Sequence, residues 1–421
     1  MKRNLFLFSL VINSLLFAQD FKQCGATIMR NRVLADKPQL VENRIEYLQK
    51  LDSIKQLQYK IDDHVRIIPV VIHIIHTGGN SNISEAQVHN AMEIINDDFN
   101  KLNADTSSVI NEFESIIADV NLEFKLAQLD PSGNCTKGIT RTFSELTNEA
   151  GENVKELIKW DPSKYLNVWV VSDIESGAGG YSYYPGEAPN NDANAGIVVL
   201  ATQFGGIGES NGNNSSKRTL THEIGHYLNL SHTWGNSNNN NIQENCFDDD
   251  GIADTPETIG TESSCNLDQS TCGSLDNVQN YMDYSSCSRM FTNGQKYAMR
   301  AALDFGSSWQ NAPRNNLWTT QNLIATGLLN NSDADDCLAI VAFDTPSEIT
   351  CIDNEIQWRN NSYNYSDAVS FEWDLPGASP SFSNEENPIV VYNQTGLFDA
   401  TLTVVTSGGS QSETLSNAIY I

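Results

Sequence analysis

Apolar and polar positions alternate between two periods along this chain. Ile67-Ile68-Pro69-Val70-Val71-Ile72-His73-Ile74-Ile75-His76 is a near-continuous β-branched run, the pattern of a strand buried on both faces. Ser84, with Glu85 and Gln87 after it, predicts a helix start, the serine capping and the glutamine suiting a capping box. That helix carries Val88, Ala91, Ile94, Ile95 and Phe99 on its inner face. Further strands are predicted over Asn121 to Leu129, Leu166 to Asp173, about Gly179 to Tyr184 and Ala195 to Ala201. This order predicts an α/β (α+β) body with a twisted, mixed sheet backed by helices.

The flanks read differently. Leu5 to Phe17 is apolar after Lys2 and Arg3 and reaches Ala18, the shape of a secretory signal over 1–18 and too short to span a membrane. Over 19–60, Leu40, Ile45, Leu48, Leu51 and Ile54 recur at helical spacing, predicting one short amphipathic helix in a propeptide. Residues 236–276 are Asn- and Asp-rich and loop-like. Residues 330–339 read as a linker. Alternation in Glu355–Trp358, Ser370–Trp373 and Ala400–Val405 then marks an all-β, immunoglobulin-like sandwich over 340–421, leaving 61–329 as the central domain.

The chain has 421 residues, 25 Lys and Arg against 53 Asp and Glu, and a net charge of −28. Such a balance excludes sequence-independent binding to nucleic acid or anionic lipid, which needs clustered cations. The eight cysteines of an exported chain lean toward disulfides rather than thiol chemistry.

Thr221-His222-Glu223-Ile224-Gly225-His226-Tyr227-Leu228-Asn229-Leu230-Ser231-His232 dominates the chemistry. On a helix, His222 and His226 at i and i+4 project side by side and can grip one ion. Glu223 lies about 100° round the helix and is free to work on a metal-bound water. A catalytic zinc site needs a third ligand, with its fourth position left open. His232 can supply that ligand only if the helix stops and the chain turns back, and Asn229, able to adopt the left-handed conformation, sits where the turn is required. His64, His73, His76 and His89 lack such spacing and read as structural.

These residues resemble the long zinc signature of the metzincin metalloproteases, and Asn280-Tyr281-Met282-Asp283-Tyr284 resembles their methionine turn. With Ile68–His76, Gly180–Gly186, Asp249–Pro256 and Asn280–Lys296, the match narrows to the pappalysin family in its bacterial, ulilysin-like branch, over about Cys24 to Leu329. The C-terminal part, with Ser370-Phe371-Glu372-Trp373-Asp374-Leu375-Pro376-Gly377, is similar to polycystic-kidney-disease-type domains.

The resemblance implies a twisted five-stranded sheet and a secreted, monomeric zinc endopeptidase acting on proteins or peptides. It implies Glu223 as base, Tyr284 as the side chain that supports the tetrahedral intermediate, and Met282 as a hydrophobic floor. It further implies calcium at Asp250, Asp254, Thr255 and the Ile252 carbonyl, where the alternative is a solvated acidic loop. Bridges Cys246–Cys272 and Cys265–Cys287 follow from the family too. Cys24 resembles its cysteine switch; a disulfide to Cys135 is the rival, and Cys337 with Cys351 would be a local bridge. In ulilysin-like relatives an acidic residue after the methionine turn recognises arginine after the cut bond. Ser285 and Ser286 fill a shorter stretch here, so the resemblance does not by itself imply that preference.

Two other readings share these residues. In a gluzincin a later glutamate replaces His232 as third ligand. In a secreted binding or adhesion protein on an inactive protease scaffold, the C-terminal sandwich does the recognition.

Overall fold

A computed structural model describes residues 22–56, 62–189, 193–304, 314–329, 337–345, 347–365, 369–406 and 409–421, the side chains of 52–56 excepted. The signal expected over 1–18 lies outside them, as do 330–336 of the linker.

The buried run forms β1 (Arg66–His76), the longest strand of the main sheet, with every residue buried but one. The capping serine opens α1 (Glu85–Phe99); its Oγ accepts from the Gln87 N–H at 3.2 Å. The reciprocal half of the capping box is absent, because Gln87 Oε1 accepts instead from the Glu209 N–H at 2.9 Å while its amide donates to the Ala201 and Phe204 carbonyls. Val88, Ala91, Ile95 and Phe99 face the core as expected and Ile94 is half-buried. Strands β2 (Leu122–Leu126), β3 (Ile139–Phe143), β4 (Leu166–Val171), β5 (Gly180–Ser182) and β6 (Ile197–Leu200) follow.

The strand order is β2-β1-β4-β6-β5, the five-stranded path expected, with only β5 antiparallel. A sixth strand, β3, was not evident in the sequence, its Thr and Arg positions hiding the pattern. It shares the edge with β2: β1 pairs with β2 over Arg66–Val70 and with β3 over Ile72–His76. β5 lies at the opposite edge.

The segment before the sheet is two helices rather than one, αA (Ala26–Asp36) and αB (Gln39–Gln56). Pro38 restricts Lys37 to non-helical backbone and separates them. The buried stripe of αB is Leu40, Arg44, Tyr47 and Leu51, spaced four, three and four, so that Ile45 and Leu48 are exposed. Tyr47 and Leu51 pack on Ala301 of α3 (Asn293–Asp304).

The C-terminal part is a small β-sandwich. A four-stranded sheet, in which Ser370–Asp374 pairs with Leu397–Thr406, shares one core with the sheet of Glu355–Gln357 and Ile389–Tyr392, filled by Trp358, Trp373, Tyr392 and Leu402. It docks on the β3 edge, away from β5. Asn364 Oδ1 accepts from Thr136 and Lys137, its amide donates to the Cys135 carbonyl at 2.7 Å, and Asn361 accepts from Phe143 N–H at 2.7 Å. A disulfide joins Cys135 to Cys337 across this contact. It replaces both bridges weighed from the sequence, Cys24–Cys135 and Cys337–Cys351; Cys24 and Cys351 are free. The pairing is long-range, 202 residues apart, and local spacing carries no trace of it.

Candidate metal centre

Helix α2 (Thr219–Tyr227) packs beneath β5 and β6 and is buried along its whole length. Asn229 adopts φ +79°, the left-handed conformation, and Leu230 N–H returns to the Gly225 carbonyl at 2.9 Å. The chain reverses where the sequence required, and His232 faces His226 with their Nε2 atoms 3.2 Å apart. The ligand atoms of Cys24, His222, His226 and His232 all lie within 4.8 Å of one another, and all four residues are buried.

Each imidazole is held through its other nitrogen. Nδ1 of His222, His226 and His232 contacts the carbonyl oxygen of Tyr281, Leu230 and Ser237 at 2.7, 2.7 and 3.2 Å. A carbonyl only accepts, so each Nδ1 carries the hydrogen and each Nε2 presents a lone pair. Burial keeps all three rings neutral: it lowers the pKa of His222 to about 4, while those of His226 and His232 fall well below the usual value through burial and the neighbouring imidazoles. Neutral imidazole is the ligating form. The 3.2 Å contact is therefore two lone pairs facing each other, and His222 Nε2 is buried with no hydrogen-bond partner. Two nitrogens bound tetrahedrally to one zinc at about 2.0–2.1 Å stand about 3.3 Å apart. The donor set fits zinc.

Glu223 is completely buried and neither carboxylate oxygen has a hydrogen-bond partner. Burial pushes its pKa to about 8, with Cys24 and Ser182 opposing. Met282 lies under the helix: a Cβ added to Gly225 would stand 2.4 Å from its sulfur. Tyr284 packs edge-on to His232, ring centres 4.9 Å apart, and its hydroxyl donates to Asn238 at 2.8 Å. Trp234 stacks flat on His232 at 4.5 Å.

One anchor was missed in the sequence. The buried carboxylate of Asp98 accepts from Tyr281 OH at 2.7 Å, Thr221 OH at 2.8 Å and Arg218 Nε at 3.3 Å, joining α1, α2 and the methionine turn. Its signal was an acid on the apolar stripe of Val88, Ala91 and Ile95. His73 bonds Thr140 and Asn167, and His76 accepts from Gly78 N–H; His64 and His89 are exposed. None of the four joins the centre.

In the acidic loop, Thr255 OH reaches both Asp250 oxygens at 2.8 Å and the Ile252 carbonyl at 2.7 Å. Asp254 turns away, accepting from Thr292 OH at 2.6 Å and Gly294 N–H at 2.9 Å at the start of α3. Burial pushes the Asp250 pKa to about 8. Bridges Cys246–Cys272 and Cys265–Cys287 are formed.

Residues 148–304 match the peptidase family described as Pregnancy-associated plasma protein-A. Mature mirolysin of Tannerella forsythia, solved in complex with a cleaved peptide, is 32% identical with a TM-score of 0.55, the likeness covering 62% of this chain and 98% of that one. The chain belongs to the pappalysin family of metalloproteases. A promirolysin variant from the same organism is 29% identical to this pappalysin, TM-score 0.62, over 73% of this chain and 100% of that one. An extracellular metalloprotease of Arthroderma benhamiae is 27% identical over 257 residues, 59% of this chain and 82% of the relative. This pappalysin is a secreted hydrolase of peptide bonds, and the adhesion reading is not favoured. Among the described residues no helix is long and apolar enough to cross a membrane.

Gly225→Ala should force Met282 aside, costing about 1–3 kcal/mol and lowering zinc content; thermal melting and metal analysis measure both, and unchanged values would contradict the packing described.

Proposed function

We propose that this pappalysin is synthesised as a zymogen in which His222, His226 and His232 hold zinc and Cys24 fills its fourth position. The face-to-face Nε2 lone pairs of His226 and His232 are the observation that carries the reading, because two such groups in a dry site need a cation between them. Zinc there lowers the pKa of a bound water and polarises the scissile carbonyl. Glu223, unpartnered beside it, takes a proton from the attacking water and returns it to the leaving amine. Tyr284 turns its hydroxyl from Asn238 toward the developing oxyanion once Cys24 has left, and Met282 is the floor on which the histidines rest. His232, rather than a glutamate, completes the ligand set, which sets aside the gluzincin alternative.

Residues 19–60 act as the propeptide, 61–329 as the catalytic domain and 340–421 as the appended sandwich. Gln23 O and Gly25 N bond Gly179 N and Gly180 O, each at 2.7 Å, so the propeptide runs parallel to β5. A substrate is expected antiparallel on that edge; the inhibitory segment lies reversed, with no peptide bond offered in the productive direction. Burial, and then the Glu223 carboxylate, push the Cys24 thiol pKa well above its usual value. A cation at the three imidazoles reverses that, since a coordinating thiol is deprotonated outright. We further assign calcium to Asp250, the Ile252 carbonyl and Thr255, with Asp254 tied to α3 instead of the ion.

Three outcomes follow. Glu223→Ala should keep zinc yet lose casein cleavage at least about 100-fold, whereas His232→Ala should lose the zinc itself; cleavage retained in purified Glu223→Ala protein would contradict the mechanism. Cys24→Ala should let the full-length chain cleave casein before its propeptide is removed, and full latency in that variant would exclude the switch. Calcium withdrawal should lower the melting temperature of wild type but not of Asp250→Ala, and equal shifts in both would remove calcium from this loop.

A further inference from the structure

Beyond the metal centre lies a buried acid that the mechanism leaves unused. Glu187 follows β5 by five residues and is 1% exposed. Its carboxylate is gripped by Arg30 of αA through two bonds, Nε to Oε2 at 2.5 Å and Nη2 to Oε1 at 2.9 Å. Arg44 of αB adds an ion pair at 3.5 Å. Both guanidinium groups also lie over the ring of Tyr184, at 5.9 and 4.7 Å, and that ring is edge-on to the zinc-site His226 at 5.5 Å. The cavity beside Arg30 and Arg44 is lined by Asp249 and Asp250 as well. Among the described residues, the cations that pair with Glu187 are Arg30 and Arg44, both in the segment assigned to the propeptide.

We propose that Glu187 and Tyr184 form a specificity subsite for an arginine side chain of the substrate, occupied in the zymogen by Arg30. The inference rests on the peptidase reading above and extends it. A carboxylate buried beside an aromatic face, stripped of the Arg30 and Arg44 counter-ions when the propeptide leaves, favours a planar two-pronged cation in their place. Arginine satisfies both carboxylate oxygens and stacks on the ring; lysine offers a point charge.

Polarity gives the side of the cut bond. Cys24 pairs with Gly180 at the start of β5, and beyond Ser182 the chain passes Tyr184, whose ring meets His226, and turns to Glu187, whose N–H donates to the Tyr184 carbonyl at 3.1 Å. A substrate antiparallel to β5 lays its amino-terminal residues along that direction. The arginine recognised by Glu187 therefore precedes the scissile bond, unlike the arginine after the bond recognised in ulilysin-like relatives, whose acidic residue has no counterpart between Tyr284 and Cys287.

The test uses the full chain, activated by limited proteolysis of its propeptide, on peptides in which one arginine is moved through each position around the bond and replaced in turn by citrulline, its neutral isostere. Wild type should favour arginine over citrulline roughly 10- to 100-fold in kcat/KM at a position before the bond. Glu187→Gln should abolish that ratio, with an unchanged melting temperature and zinc content of the activated protein showing that the variant is folded. A wild-type ratio near one, or a preference confined to positions after the bond, would overturn the proposal without any variant. A ratio that survives in Glu187→Gln would make Glu187 a propeptide anchor only. No cleavage of casein by activated wild type would overturn the peptidase reading beneath it, a result distinct from either.

Discussion

Two nitrogen lone pairs directed at each other across 3.2 Å in a water-excluded pocket are the constraint on which the rest of this molecule turns. The arrangement is unfavourable by itself, and the surrounding chain enforces it. Three backbone carbonyls fix the tautomers, Trp234 holds the His232 ring flat, and Asp98 ties the helix to the turn that carries the His222 acceptor. Such second contacts orient ligands before the ion arrives. The fold supplies a preorganised receptor for a dication, and a peptidase is the use its family makes of it.

The N-terminal segment answers the same constraint from the other side. It adds a thiol to the three imidazoles, pairs with the sheet edge that a substrate would use, and runs in the opposite direction. Gly25 permits the approach, since a Cβ there would stand 2.6 Å from Ala178. The charges of this segment reach outward to Glu187, Glu175 and Asp173 of the catalytic body. On the proposed zymogen reading, latency is spread over the metal site, the strand edge and several ion pairs. Meanwhile the C-terminal sandwich is bridged to the far edge of the sheet, where it leaves β5 free.

Much of the centre was legible because its spacing is set by local geometry. Two histidines four apart on a helix, a residue tolerant of positive φ three further on and a third histidine after it leave little freedom, and Asn229 adopts the conformation that this logic demands. The buried strands were legible as β-branched runs. What escaped depends on contacts distant in sequence. Cys135 pairs 202 residues away, β3 is recognisable only once β1 is seen to extend past β2, and the phase of αB is set by where Tyr47 and Leu51 meet Ala301. Asp98 was hidden for the same reason: an acid on an apolar stripe announces a partner without saying which one. Glu187 gave no signal at all, since its partners are arginines more than 140 residues earlier.

X-ray absorption at the zinc edge of the purified full-length protein reads the first coordination shell directly. The account predicts one zinc per chain with three nitrogen neighbours at about 2.0–2.1 Å and one sulfur at about 2.3 Å. A shell without imidazole nitrogen, or a chain that takes up no zinc while remaining folded, would contradict it.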